Sequence, residues 1–160
     1  MLSSATIELD SEYHLLIGTY TDLDALAHQP HAPTSGQGIY GLTIDKRGKL
    51  TLREVADALN PAVLIPHSNG KTMYAIVETI QTNGEVLQFD IGSDSSLSLQ
   101  GSFTASGKST CYIAVSPQQD AAIVINYWDA IIDIVDMDSD GKIGNITQSF
   151  KQFYRPEGEW

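Results

Sequence analysis

The sequence predicts an all-β fold made of repeated four-stranded units. Three observations carry that expectation. Short apolar, β-rich runs recur along the 160 residues, the second strand-like runs that follow them recur every 46 residues, and no segment sustains the 3.6-residue apolar period of an amphipathic helix.

In the first unit, residues 13–57, the run 15–20 reads as a buried strand, 38–45 as its partner, and 46–52 as a polar turn entering a third strand. Residues 51–59 also have some helical propensity, but the repeat places them in the third strand and its exit loop. The second unit, 58–104, opens with a strand at 62–65, turns through His67, Asn69 and Gly70, and continues with runs at 73–78, 84–91 and 93–99. The third, 105–150, repeats that order at 112–115, 122–127, 130–137 and 139–145, with Pro117 in its first turn. The second runs begin at 38, 84 and 130, a spacing of 46 both times, and Leu50, Leu97 and Ile143 keep the register of the strand that follows. Pro, Asn and Gly at the turns suit tight hairpins.

Four short strands in each unit of ~46 residues form the sequence signature of a β-propeller blade. The expected architecture is therefore about three four-stranded blades in one partial propeller, because a closed ring uses about four to eight. Such an arc leaves the apolar flanks of its end blades exposed, which predicts self-association through them.

Composition narrows the function classes. Twenty Asp and Glu against nine Lys and Arg give a formal charge of −11, which repels phosphate backbones and excludes nucleic acid as the expected partner. No apolar run approaches the ~20 residues of a membrane helix. One cysteine, Cys111, offers no internal disulfide, and the first eight residues lack a basic, then apolar, leader pattern. A cytoplasmic setting is the resulting expectation. Cys111 begins a strand and reads as a small core filler rather than a nucleophile.

Several stretches together carry a family resemblance. Leu16-Ile17-Gly18-Thr19-Tyr20-Thr21, Gly38-Ile39-Tyr40, Gly48-Lys49-Leu50-Thr51-Leu52, Asn60-Pro61-Ala62 and Tyr74-Ala75-Ile76-Val77-Glu78 occur in an order and spacing that resembles the seven-bladed propeller lactonases. Cys111-Tyr112-Ile113-Ala114-Val115-Ser116-Pro117 and Ile125-Asn126-Tyr127 extend the likeness through residues 14–150. That family includes propeller-type 6-phosphogluconolactonases and carboxymuconate-lactonizing enzymes.

The resemblance implies hydrolysis of a sugar-acid lactone at the ring's central channel, with no cofactor, by a longer protein of which this chain is the N-terminal part. The chemistry needs a group to activate water and donors to hold the developing oxyanion. On the expectation that the innermost strands line the channel, Glu78 is the candidate base and Tyr127 a hydrogen-bond donor. These two occupy matching places 49 residues apart. Arg155 is the candidate cation. Asn126, Lys108 and Tyr112 are the candidate substrate-binding residues, Tyr112 standing where family members carry a His. The alternative is a non-catalytic propeller fragment that binds a ligand or another protein.

Asp136, Asp138 and Asp140 followed by Gly141 match the first half of a calcium loop, but Thr147 stands where the bidentate Glu belongs and 131–137 reads as strand. A hairpin turn is the expectation, with the three aspartates as secondary metal candidates. His28 and His31 fall in a Pro- and Ser-containing insertion without a carboxylate or thiol at ligand spacing, and read as a solvated loop.

Overall fold

The computed structural model describes residues 9–28 and 34–152. Among these residues, eleven strands form three antiparallel sheets. The first contains β1 (Tyr13–Gly18), β2 (Ile39–Ile44) and β3 (Leu50–Ala56), in that order. The second contains β4 (Pro61–Pro66), β5 (Thr72–Val77), β6 (Glu85–Ile91) and β7 (Leu97–Thr104), and the third β8 (Thr110–Val115), β9 (Ala121–Asn126), β10 (Ile131–Met137) and β11 (Ile143–Lys151), again in chain order. This is an incomplete β-propeller, as the 46-residue repeat implies. The first sheet has three strands among the described residues, because no segment equivalent to β4 or β8 precedes β1 there.

The strand β3 settles the competition at residues 51–59 in favour of the repeat. Leu52 pairs opposite Leu42 and Leu50 opposite Ile44, so cross-strand pairing overrides helix propensity. In the insertion between β1 and β2, Leu23–Ala25 form a 3-10 turn capped by the Asp22 carboxylate on the Asp24 N–H.

Neighbouring sheets meet along β1, β4 and β8, whereas β7 and β11 are mostly exposed. The inner edge of each complete blade is thus the strand that precedes the continuous apolar run, and the run itself is the second strand. Every residue of β5 is buried, since it has strands on both sides and sheets packed on its faces. Glu78 and Asn126 therefore stand at the ends of the second strands, β5 and β9, which corrects their assignment to the innermost strands.

Packing between the second and third sheets centres on Tyr74, Ile76, Val86, Ile113, Val124 and Val135. Ile39, Met73, Ala75 and Phe89 join the second sheet to the first. Where β1 crosses β4, Gly18 lies so close to Pro61 that a Cβ would overlap the Pro61 carbonyl oxygen. At the opposite end of β5, the Tyr74 hydroxyl donates to the Gly141 carbonyl, and the Asn69 amide donates to the Asp140 carbonyl at 3.1 Å. Burial and then the Asp138 carboxylate push the Tyr74 phenol up to about 12.

Residues 138–142 form a hairpin turn. The Asp138 carboxylate accepts the N–H groups of Asp140 and Lys142 at 3.0 and 2.8 Å, and Gly141 turns with φ of 85°. Asp45 does the same for Arg47 and Lys49, both at 2.9 Å, two sheets away. Asp136 accepts the Asn145 N–H. The recurrence of one Asp-x-x-Gly-Lys turn gives these carboxylates a backbone-capping role. No group of three or more ligating side chains gathers among the described residues.

Candidate functional site

At the end of the sheets where β5 and β9 finish, loops from all three blades converge on one carboxylate. Glu78 follows β5 directly, and its N–H donates to the Asn60 carbonyl at 3.1 Å. The Tyr20 hydroxyl, from the loop after β1, donates to Glu78 Oε2 at 3.2 Å. The Ser109 hydroxyl, just before β8, donates to Oε1 at 3.1 Å. One acceptor thus links three consecutive blades, and each carboxylate oxygen retains lone-pair capacity for a further donor.

The electrostatics follow from that arrangement. Partial burial raises the Tyr20 phenol above its ordinary value, and the charge and hydrogen bond of Glu78 add to the effect. Cys111, half-buried on β8, is likewise raised, first by burial and then by the Glu78 carboxylate. A raised thiol holds little thiolate at neutral pH, in line with a filler rather than a nucleophile.

The remaining candidates divide. Tyr127 follows β9, and its N–H donates to the Ser109 carbonyl at 3.0 Å, which ties it to the residue that grips Glu78. Its ring is exposed and packs against His28 with centroids 6.2 Å apart, bringing the insertion over to the third blade. Lys108 adjoins Ser109; its N–H donates to Asp129 Oδ2 at 2.7 Å and its carbonyl accepts from Trp128.

Asn126 points into the sheet packing. It is fully buried, accepts from the Thr110 hydroxyl at 2.6 Å and donates to Asp133 Oδ2 at 2.9 Å. Tyr112 stands opposite Ile125 on β9, on the face of the third sheet that also carries Ile132 and exposed Phe150, and not with Ile113 in the core. Arg155 lies outside the described residues.

Tyr20, Ser109 and Asn60 join the site without having been named as site candidates from the sequence, as does His28, read there as part of a solvated loop and found against Tyr127. A signal existed for the first three. Tyr20 closes the first apolar run as Glu78 and Tyr127 close the others, and Ser109 precedes β8 as Asn60 precedes β4.

Comparison with known proteins decides the family. The family model described as a seven-bladed β-propeller lactonase matches residues 14–158. The chain belongs to that family. Among curated relatives it is 25% identical over 138 residues to a 6-phosphogluconolactonase of Formosa agariphila, covering 85% of this chain and 37% of that protein. Among solved structures it is similar to a periplasmic gluconolactonase of Pseudomonas aeruginosa, with a TM-score of 0.73 at 20% identity over 88% of this chain and 39% of the other. It is also similar to a candidate 6-phosphogluconolactonase of Bacteroides uniformis, with a TM-score of 0.72 at 22% identity, covering 88% and 38% of the two chains. These structural likenesses carry the fold. The lactonase-family chain spans less than half the length of the relatives it matches.

Proposed function

We propose that this chain is the N-terminal part of a lactone hydrolase that opens a sugar-acid lactone, of the 6-phosphogluconolactone class, once further blades complete the ring. The observation that carries the reading is Glu78, a carboxylate held by donors from the blades on either side at the end where second strands terminate. Its hydrogen bonds orient it while leaving it able to take a proton from water. That water attacks the lactone carbonyl carbon, the carbonyl oxygen becomes an oxyanion, and the ring C–O bond breaks as the leaving alkoxide is protonated. Tyr127, exposed beside the Ser109 loop, is the oxyanion donor in this reading, and Lys108 the local cation for an acidic substrate. Arg155, outside the described residues, stays the second candidate cation on the family resemblance alone. The single free thiol of Cys111 goes with a cytoplasmic setting.

The test is a pH-stat assay of lactone opening by the complete-ring protein and its Glu78→Gln variant. A fall of about 100-fold in kcat/KM, above the spontaneous rate, is expected from loss of a general base. An unchanged kcat/KM removes Glu78 from the chemistry.

A second reading, a non-catalytic binding module, draws on the end faces. Tyr13, Leu15, Ile17, Leu50 and Leu52 are exposed on the first sheet, and Tyr112, Ile123, Ile132 and Phe150 on the third. Apolar faces of this extent are interaction surfaces. The 160-residue chain is therefore expected to elute from a sizing column with a scattering mass above its 17.4 kDa. A 17.4 kDa species at all concentrations tested would remove self-association through these flanks.

A further inference from the structure

The Tyr20 and Glu78 side chains come from different blades. The Tyr20 carbonyl accepts the Gly36 N–H at 2.7 Å within the first blade, and the turn that follows, at Thr21 and Asp22, is held across the blade boundary by Asn60. Its Oδ1 accepts the N–H groups of Thr21 and Asp22, both at 2.8 Å, and its Nδ2 donates to the carbonyls of Asp22 at 2.8 Å and Glu78 at 3.0 Å. The Asn60 N–H donates to the Thr21 hydroxyl at 3.1 Å, and its carbonyl accepts the Glu78 N–H. The residue is wholly buried, so each of its polar groups depends on these partners. Asn60 sits in the left-handed region, with φ of 43°, which turns the chain into β4 while aiming the amide back at the first blade.

From this geometry we infer that Asn60 is a positioning residue for the candidate site: its side-chain amide clamps the loop of the first blade to the Glu78 backbone and so sets the Tyr20 hydroxyl on the Glu78 carboxylate. The inference deepens the reading of Glu78 as the reacting carboxylate and rests on it for its functional meaning. Its structural content is independent.

The next blade repeats the device, which makes it a feature of the architecture. Ser109, 49 residues after Asn60, also precedes an inner strand, also has positive φ, at 51°, and is also buried. Its carbonyl accepts the Tyr127 N–H as that of Asn60 accepts the Glu78 N–H. It too reaches back one blade, its N–H donating to the Thr79 carbonyl at 2.7 Å and its hydroxyl to Glu78. The residue before each inner strand grips the loop that follows the second strand of the preceding blade. Asn60 acts through backbone, Ser109 directly on the carboxylate.

The test uses Asn60→Gly, which keeps the left-handed backbone without strain and removes the amide, and Asn60→Asp, which keeps the acceptor but loses the donors. Tyrosine titrations are followed by NMR on 13C-tyrosine protein, with Tyr20→Phe assigning the Tyr20 signal. In wild type, Tyr20 titrates above an ordinary tyrosine. In Asn60→Gly that elevation is expected to be lost, while Tyr74, at the far end of the second blade, stays elevated and reports that the sheets remain packed. Retention of the Tyr20 elevation in a variant that also retains the Tyr74 elevation would overturn the inference. Should neither variant fold, wild-type hydrogen exchange decides: the Thr21 and Asp22 amides are expected to be protected, and exchange at the rate of unstructured chain overturns the clamp. None of these readouts uses lactone turnover, so failure of the clamp and failure of the hydrolase reading are distinguishable.

Discussion

Asp133→Ala is expected to destabilise the chain by about 3–5 kcal/mol, a large part of the roughly 5–15 kcal/mol that holds a typical domain folded. Asp133 is wholly buried on β10 and accepts from four donors. The Ser106 N–H lies 3.0 Å from Oδ2, the Asn126 amide 2.9 Å from the same oxygen, the Ser149 hydroxyl 2.8 Å from Oδ1, and the Ser106 hydroxyl also bonds to Oδ1. Alanine leaves these groups facing a void. The hydroxyls can rotate toward other acceptors, but the Ser106 N–H and the Asn126 amide cannot, and each orphaned donor costs about 1–3 kcal/mol. Urea unfolding of wild type and variant measures the difference, and a loss below about 1 kcal/mol would contradict the account.

The same carboxylate sets a pH dependence. Burial alone would raise the Asp133 carboxyl, but the donors of Ser106, Ser149 and Asn126 outweigh it and hold the group below the usual range. A carboxyl with a lowered folded value contributes stability that is present above its unfolded value, near ~3.9, and is lost as pH falls through the folded value. Wild type is therefore expected to lose stability on acidification below about pH 4 with a slope that Asp133→Ala lacks.

Gly18→Ala is the second large effect, at about 3 kcal/mol. The added methyl would overlap the Pro61 carbonyl oxygen, a backbone atom that has no rotamer to escape into, so β1 must separate from β4. Gly101→Ala is the matched control. It lies on β7 with open space around the new Cβ, and is expected to stay within about 0.5 kcal/mol of wild type. Equal thermal shifts for the two variants would show that the β1 to β4 contact is looser than described.

How much of this was legible in the sequence depends on whether the cause was local. Five of the six buried residues of β5, from Met73 to Val77, announced themselves as an unbroken apolar run, and the Asp-x-x-Gly-Lys turns at Asp45 and Asp138 by composition. The order of strands across a blade did not follow from the same run. Apolar content does not separate the two kinds of strand: β8 carries five apolar residues in six, as β5 and β9 do, and what distinguishes the second strand is that it is paired on both sides.

Glu78 was legible as a carboxylate closing an apolar run, but its partners were not, because Tyr20 and Ser109 meet it across 58 and 31 residues of chain. Asn126 read as a channel residue because it closes a run like Glu78 does; its neighbour Asp133 turns it inward. Asp133 itself had a signal in the two-residue period of β10, which puts it on the face of buried Val135 and Met137 and away from Asp136.

Every sheet is a meander in which each strand pairs only with the one before and after it in the chain. Almost all ladder contacts are thus made between segments a few residues apart, and the entropy of closing each loop is small. A blade can fold as soon as its last strand has left the ribosome, and needs to dock only on the blade already made. Growth of the arc is then a series of hairpin additions between chain neighbours, in which Asn60 and Ser109 engage late, as each finished blade settles against the loop of its predecessor.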